Sequence, residues 1–114
     1  MAGQPVTVIC ARTPGAEGWA QGTRITLDTS TCRALLLRNA RGPDNIDAAE
    51  ATAALAHEIG HVVVGGCERA AEHYAMTHWQ RLYRALGFGT ADSIARVYVL
   101  SMHDSLPREY RMRC

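Results

Sequence analysis

The sequence contains no lysine; all twelve of its basic residues are arginine. Eleven acidic residues offset them to a formal net charge of +1, which excludes the concentrated basic surface that nucleic-acid binding requires. Aromatic residues make up only 6% of the chain. Apolar runs such as Val62-Val63-Val64 and Val97 to Leu100 fall far short of the roughly 20 residues that span a bilayer, so no membrane span is expected. There is no C-x-x-C pair, which argues against a four-cysteine zinc site or a thioredoxin-type motif. Internal repeats and low-complexity linkers are also absent. What remains is ordinary globular composition, 47% apolar and 20% charged over 114 residues, enough for one core and one domain spanning residues 1–114. Eighteen alanines and no lysine point to GC-rich coding more than to a function.

Four cysteines, Cys10, Cys32, Cys67 and Cys114, leave two readings open. Met1 to Pro5 shows neither a basic nor a long apolar segment of signal-peptide type, which points to a cytoplasmic protein with reduced thiols. The alternative is a virion-associated or secreted chain with two disulfides, in any of three connectivities. Cys114 favours this second reading slightly, because a free thiol at the last residue would fray and react.

The pattern along the chain reads as α+β, with a small N-terminal antiparallel sheet followed by three helices. Residues Gln4 to Ala11 are rich in β-branched side chains and end before Pro14-Gly15, which reads as a strand. Thr23 to Asp28 alternates polar and apolar, as a half-buried or edge strand does. Cys32 to Leu37 fits either a third strand or a short helix before Arg41-Gly42-Pro43. A helix is predicted from an Asp44 N-cap through Val64, stopped by Gly65-Gly66. A second runs from Cys67 to Leu86, with Gly87 as its stop. A third spans Ala91 to His103 with Thr90 as its cap, and Pro107 lies in an irregular tail.

The first of these helices carries His57-Glu58-Ile59-Gly60-His61, an H-E-x-x-H motif. Residues four apart share a helical face, so His57 and His61 can reach a single metal ion. Glu58 is turned about 100° from His57, beside the ion, where a carboxylate can take a proton from a bound water. The bland reading, two surface histidines on a helix, is disfavoured by the apolar turn before the motif and the acidic pair after it.

A hydrolytic zinc site uses three protein ligands and an open position. Glu68 and Glu72 head a stripe that continues through Ala71, Ala75, Trp79, Leu82 and Leu86 and should pack inward. Taken alone, both would be read as acidic residues favoured at a helix N-terminus. Downstream of H-E-x-x-H they become candidate ligands, with Glu68 preferred. Glu72 is then placed behind the site, accepting the outward N–H of a ligand histidine, or is the alternative ligand. Cys67 stands where the metzincin pattern has its third histidine, but Val64 replaces the glycine of that pattern. His73 and His78 have no partner at metal spacing. His103, Tyr110 and Arg108 are candidates for oxyanion stabilisation if the tail folds over the site.

With these residues the chain resembles gluzincin-type zinc metallopeptidases. Glu68-Arg69-Ala70-Ala71-Glu72-His73-Tyr74-Ala75 is similar to the E-x-x-A-x-x-[F/Y]-A segment of the phage-repressor-cleaving group. A further similarity, over most of residues 25 to 114, is to small metallopeptidase-like proteins of high-GC bacteria and their phages. It is carried by Ile25-Thr26-Leu27, Cys32, Glu72 to Ala75 and the segment from Leu106 to Cys114. The resemblance implies a minimal zincin-like domain, Glu68 as third zinc ligand and Glu72 behind it.

The expected function is therefore a Zn²⁺-dependent peptidase acting on a peptide or protein substrate, with Glu58 as general base. The Thr23 to Asp28 strand, as an edge, would take an extended peptide by strand addition. The alternative is a non-catalytic, zinc-stabilised structural or protein-binding module, possibly phage-derived. Specificity and oligomeric state are not legible in the sequence.

Overall fold

The computed structural model describes residues 5–36 and 44–114. Three short strands, β1 (Thr7–Cys10), β2 (Gly18–Gln21) and β3 (Arg24–Leu27), precede a short helix α1 (Thr29–Leu36). Two long helices follow, α2 (Asp44–Val64) and α3 (Glu68–Ala85), then α4 (Ser93–Ser105) and the single-turn α5 (Arg108–Met112). The architecture is α+β, as expected. The Arg41-Gly42-Pro43 break expected ahead of α2 lies outside the described residues, as do Gln4 and the side chain of Asp44.

The sheet differs from expectation in two ways. Its order is β1-β3-β2, with β1 parallel to β3 and β2 antiparallel to it, so it is mixed and not wholly antiparallel. The Thr23 to Asp28 segment is also not an edge. β3 is the central strand, and Ile25, Thr26 and Leu27 are all buried. The outer places belong to β1 and to β2, and the Gly-Trp-Ala-Gln sequence of β2 has little intrinsic strand preference. It forms because Gly22, at φ 60°, closes a tight turn that L-residues resist.

Asp28 ends the sheet and starts α1. Its carboxylate accepts from the Ser30 hydroxyl at 2.7 Å, the Thr13 N–H at 2.9 Å and the Ser30 N–H at 3.1 Å. The Ser30 hydroxyl and these backbone donors hold Asp28 well below the usual carboxylate range. Of the Cys32 to Leu37 segment, residues 32–36 are thus helical and Leu37 lies outside the described residues; Cys32 is joined to Cys10 at the end of β1.

α2 is the centre of the molecule. On one side Ala48, Ala49 and Ala56 pack with Trp79, Tyr83, Ala95 and Val99. On the other, Leu55 packs with Ile25, Leu27 and Cys32, joined by Ile59 and Val62. The expected helix boundaries hold closely for α2 and α3. The cap of α4 is corrected: Asp92, not Thr90, caps it, and its carboxylate accepts the Ala95 N–H at 2.8 Å. The tail after Pro107 is not irregular but forms α5, so the described residues hold five helices where three were expected.

Candidate metal centre

The reversal between α2 and α3 sets the geometry. Gly65, at φ 91°, ends α2 in the left-handed conformation that glycine accepts readily. Cys67 caps α3, its sulfur accepting the Ala70 N–H at 3.3 Å. Close approach of the two helices then depends on Gly60, inside the motif. A Cβ there would stand 2.8 Å from the Ala71 carbonyl oxygen and 3.2 Å from the Tyr74 Cβ. With no side chain at Gly60, α3 comes near enough to carry Glu68 and Glu72 to the two histidines.

His57, His61 and Glu68 come together with their ligand atoms all within 4.8 Å of one another, a group that could hold a metal ion. His61 Nε2 lies 2.5 Å from Glu68 Oε1, and His57 Nε2 lies 3.7 Å from Glu68 Oε2. The opposite nitrogen of each ring is occupied. His61 Nδ1 donates to the Gly65 carbonyl at 2.9 Å, and His57 Nδ1 donates to Glu72 Oε1 at 2.8 Å. These bonds select the Nδ1–H tautomers and turn both Nε2 lone pairs towards Glu68. Two imidazole nitrogens and one carboxylate oxygen form a donor set suited to a divalent transition metal. Among the described residues this is the one such group.

Glu72 lies behind His57, on the side away from Glu68. Its second oxygen accepts from His103 Nδ1 at 2.6 Å, so one carboxylate joins His57 on α2 to His103 on α4. Burial raises the Glu72 pKa, but hydrogen bonds from His57 and His103 outweigh that and lower it. For His57, burial opposes the charge; the hydrogen bond to Glu72 and the fields of Glu58, Glu72 and Glu68 overcome it and raise the pKa. Glu58 is also buried. Desolvation raises its pKa, only partly offset by His57 and His61.

A cleft of about 730 Å³ opens on this group. One wall is β2 with Trp19 and Ala20; the other carries His57, Glu58, His61 and Glu68. Tyr110, on α5, reaches in from the C-terminal end, its hydroxyl 3.2 Å from His57 Nε2. Of the three tail candidates, Tyr110 therefore lies at the site, His103 lies behind it against Glu72, and Arg108 is exposed on α5. His73 is exposed on α3, and the His78 ring packs 4.3 Å from Tyr74. Cys67 forms a disulfide with Cys114 and so has no thiolate to offer a metal. The β2 wall was missed in the sequence, because nothing in Gly18 to Gln21 marks it as a strand.

The chain matches no protein-family model, no curated protein and no solved structure.

Proposed function

We propose that the protein is a zinc-dependent peptidase in which His57, His61 and Glu68 hold the ion and Glu58 is the general base. The observation that carries this reading is a three-donor group placed beside a buried glutamate on the wall of an open cleft. Three protein ligands with access from solvent fit a catalytic zinc site, whereas structural sites close with a fourth ligand. A closed site would need a fourth ligand, for which the nearby sequence offers Cys67 and His73; Cys67 is in a disulfide and His73 is exposed and outside the metal group. Bound zinc supplies Lewis acidity and lowers the pKa of a water ligand.

The residues divide the remaining work. Glu58 takes the proton of the attacking water and delivers it to the departing amine, a task for which a carboxylate of raised pKa is suited. Glu72 holds the His57 ring through Nδ1. Among the described residues no strand pairs with the outer edge of β2, and β2 lines the cleft, so an extended peptide can add to it by backbone hydrogen bonds. The two disulfides favour an oxidising compartment or a virion surface over the reducing cytoplasm.

The test is Glu58→Gln. The variant should retain zinc while hydrolysis of an unstructured protein substrate falls by at least about 10²-fold, the lower end of general-base contributions. Undiminished hydrolysis would remove Glu58 from the reaction.

A further inference from the structure

We propose that the Cys67–Cys114 disulfide latches Tyr110 into the cleft, where its hydroxyl is a catalytic hydrogen-bond donor to the carbonyl oxygen under attack. The proposal rests on the peptidase reading above.

α5 has five residues, too few for a helix to persist on its own. Two ties hold it over the site, and a third contact, within the tail itself, packs against the Tyr110 ring. Cys114 is bonded to Cys67, the residue that caps α3 immediately before Glu68. The Arg69 N–H donates to the Arg113 carbonyl at 2.9 Å. The Arg113 guanidinium lies 5.6 Å from the centre of the Tyr110 ring. Thus the covalent tie that fixes the tail is rooted one residue from a metal-group carboxylate.

The result is a specific placement. The Tyr110 ring stacks along the His57 imidazole at 21°, with centroids 6.1 Å apart, and its hydroxyl lies beside the nitrogen that faces Glu68. A phenol is protonated at neutral pH, so the Tyr110 hydroxyl, which lines the cleft beside His57, keeps its proton and is free to donate to a substrate oxygen. In the step, the water oxygen bonds to the carbonyl carbon while its proton passes to Glu58. The C=O π pair moves onto oxygen, and Tyr110 donates to that developing charge without losing its proton. The C–N bond then breaks and Glu58 returns the proton to the amine.

The experiment compares Tyr110→Phe, the double variant Cys67→Ser/Cys114→Ser, and all three substitutions together. Serine at 67 keeps the cap of α3, since a hydroxyl accepts the same N–H, so the start of the helix that carries Glu68 is preserved. Tyr110→Phe should lower kcat by about 10²-fold, as loss of one oxyanion donor does, with KM and zinc affinity unchanged. The double variant should show a similar loss, and the triple variant none beyond it. Binding of a phosphinic peptide, which presents a tetrahedral oxygen to the same donor, should weaken in parallel in all three. If the losses of the double variant and Tyr110→Phe multiply, the disulfide does not act through Tyr110 and the latch is overturned. If Tyr110→Phe equals wild type in kcat and in phosphinic-peptide binding, the donor role is overturned while the peptidase reading stands. If the wild-type zinc-loaded chain hydrolyses nothing, the peptidase reading fails and takes this proposal with it.

Discussion

The two sides of α2 are held by different means. Towards α3 and α4, alanines at 48, 49 and 56 meet Trp79, Tyr83 and Val99, small against large, so the helices approach closely and bury their contacts. Towards the sheet, the contact is thinner: strands of four residues each, with β1 exposed at every position. A sheet of this size has little stability of its own, and the Cys10–Cys32 bond ties its outer strand to α1. The candidate site lies where the two sides meet. Its candidate metal group depends on close helix packing, and the β2 wall of the cleft depends on a small sheet stapled by a disulfide. The metal group and the β2 edge proposed to take a peptide should therefore fail separately.

The largest expected effect is on the helical side. Trp79 is 2% exposed, and Trp79→Ala should cost about 3–5 kcal/mol, read by denaturant unfolding, with zinc affinity falling as α3 loosens. Replacing Cys10 and Cys32 by serine should cost about 3 kcal/mol by the loop-entropy estimate. Here zinc affinity should persist while KM for a peptide rises. Equal loss of zinc in both variants would erase the distinction between the two sides.

A smaller effect sharpens it. Gly60→Ala places a methyl group against the Ala71 backbone, which cannot yield without moving α3. We expect a loss of about 1–3 kcal/mol, the usual cost of overpacking, and weaker zinc binding, measured together by thermal unfolding with and without zinc. Unchanged zinc affinity would show that Gly60 does not set the reach of Glu68.

The smallest effect is where the sheet side touches α2. Glu17, just before β2, shares a hydrogen bond with Glu50 on α2, and burial together with that carboxylate raises its pKa to about 7. The native state therefore binds a proton that the unfolded chain releases near its ordinary value of 4.5. Stability from this pair is fully present below about 4.5 and is lost as pH rises towards about 7. Glu17→Gln should flatten that slope in urea titrations across the window. An unaltered slope would mean the pair is not linked to folding.

These differences also explain what could be read from the sequence. The gathering of His57, His61 and Glu68 into one group that could hold a metal ion was legible because its logic is local. His57 and His61 are four apart on one helix, and Gly65-Gly66 forces α3 to return at once with Glu68 and Glu72. Glu72 behind His57 follows from the same short reversal. The β2 wall was not legible, since Gly18 to Gln21 acquires strand structure only by pairing with β3. The central place of β3 was hidden for the same reason. Tyr110 was one of three equal candidates, because its place depends on a disulfide between Cys67 and Cys114, a pairing that spacing alone does not select. The place of His103 was not legible either, because from α4 it meets Glu72 on α3, 31 residues away.

The central claim is that His57, His61 and Glu68 together hold one zinc ion. Its most direct test is the metal content of the purified chain by mass spectrometry, followed by zinc titration of wild type and His61→Ala. One zinc per wild-type chain and loss of binding in His61→Ala are the expected results. A wild-type chain that retains no zinc, or a His61→Ala chain that binds it as tightly, would contradict that claim.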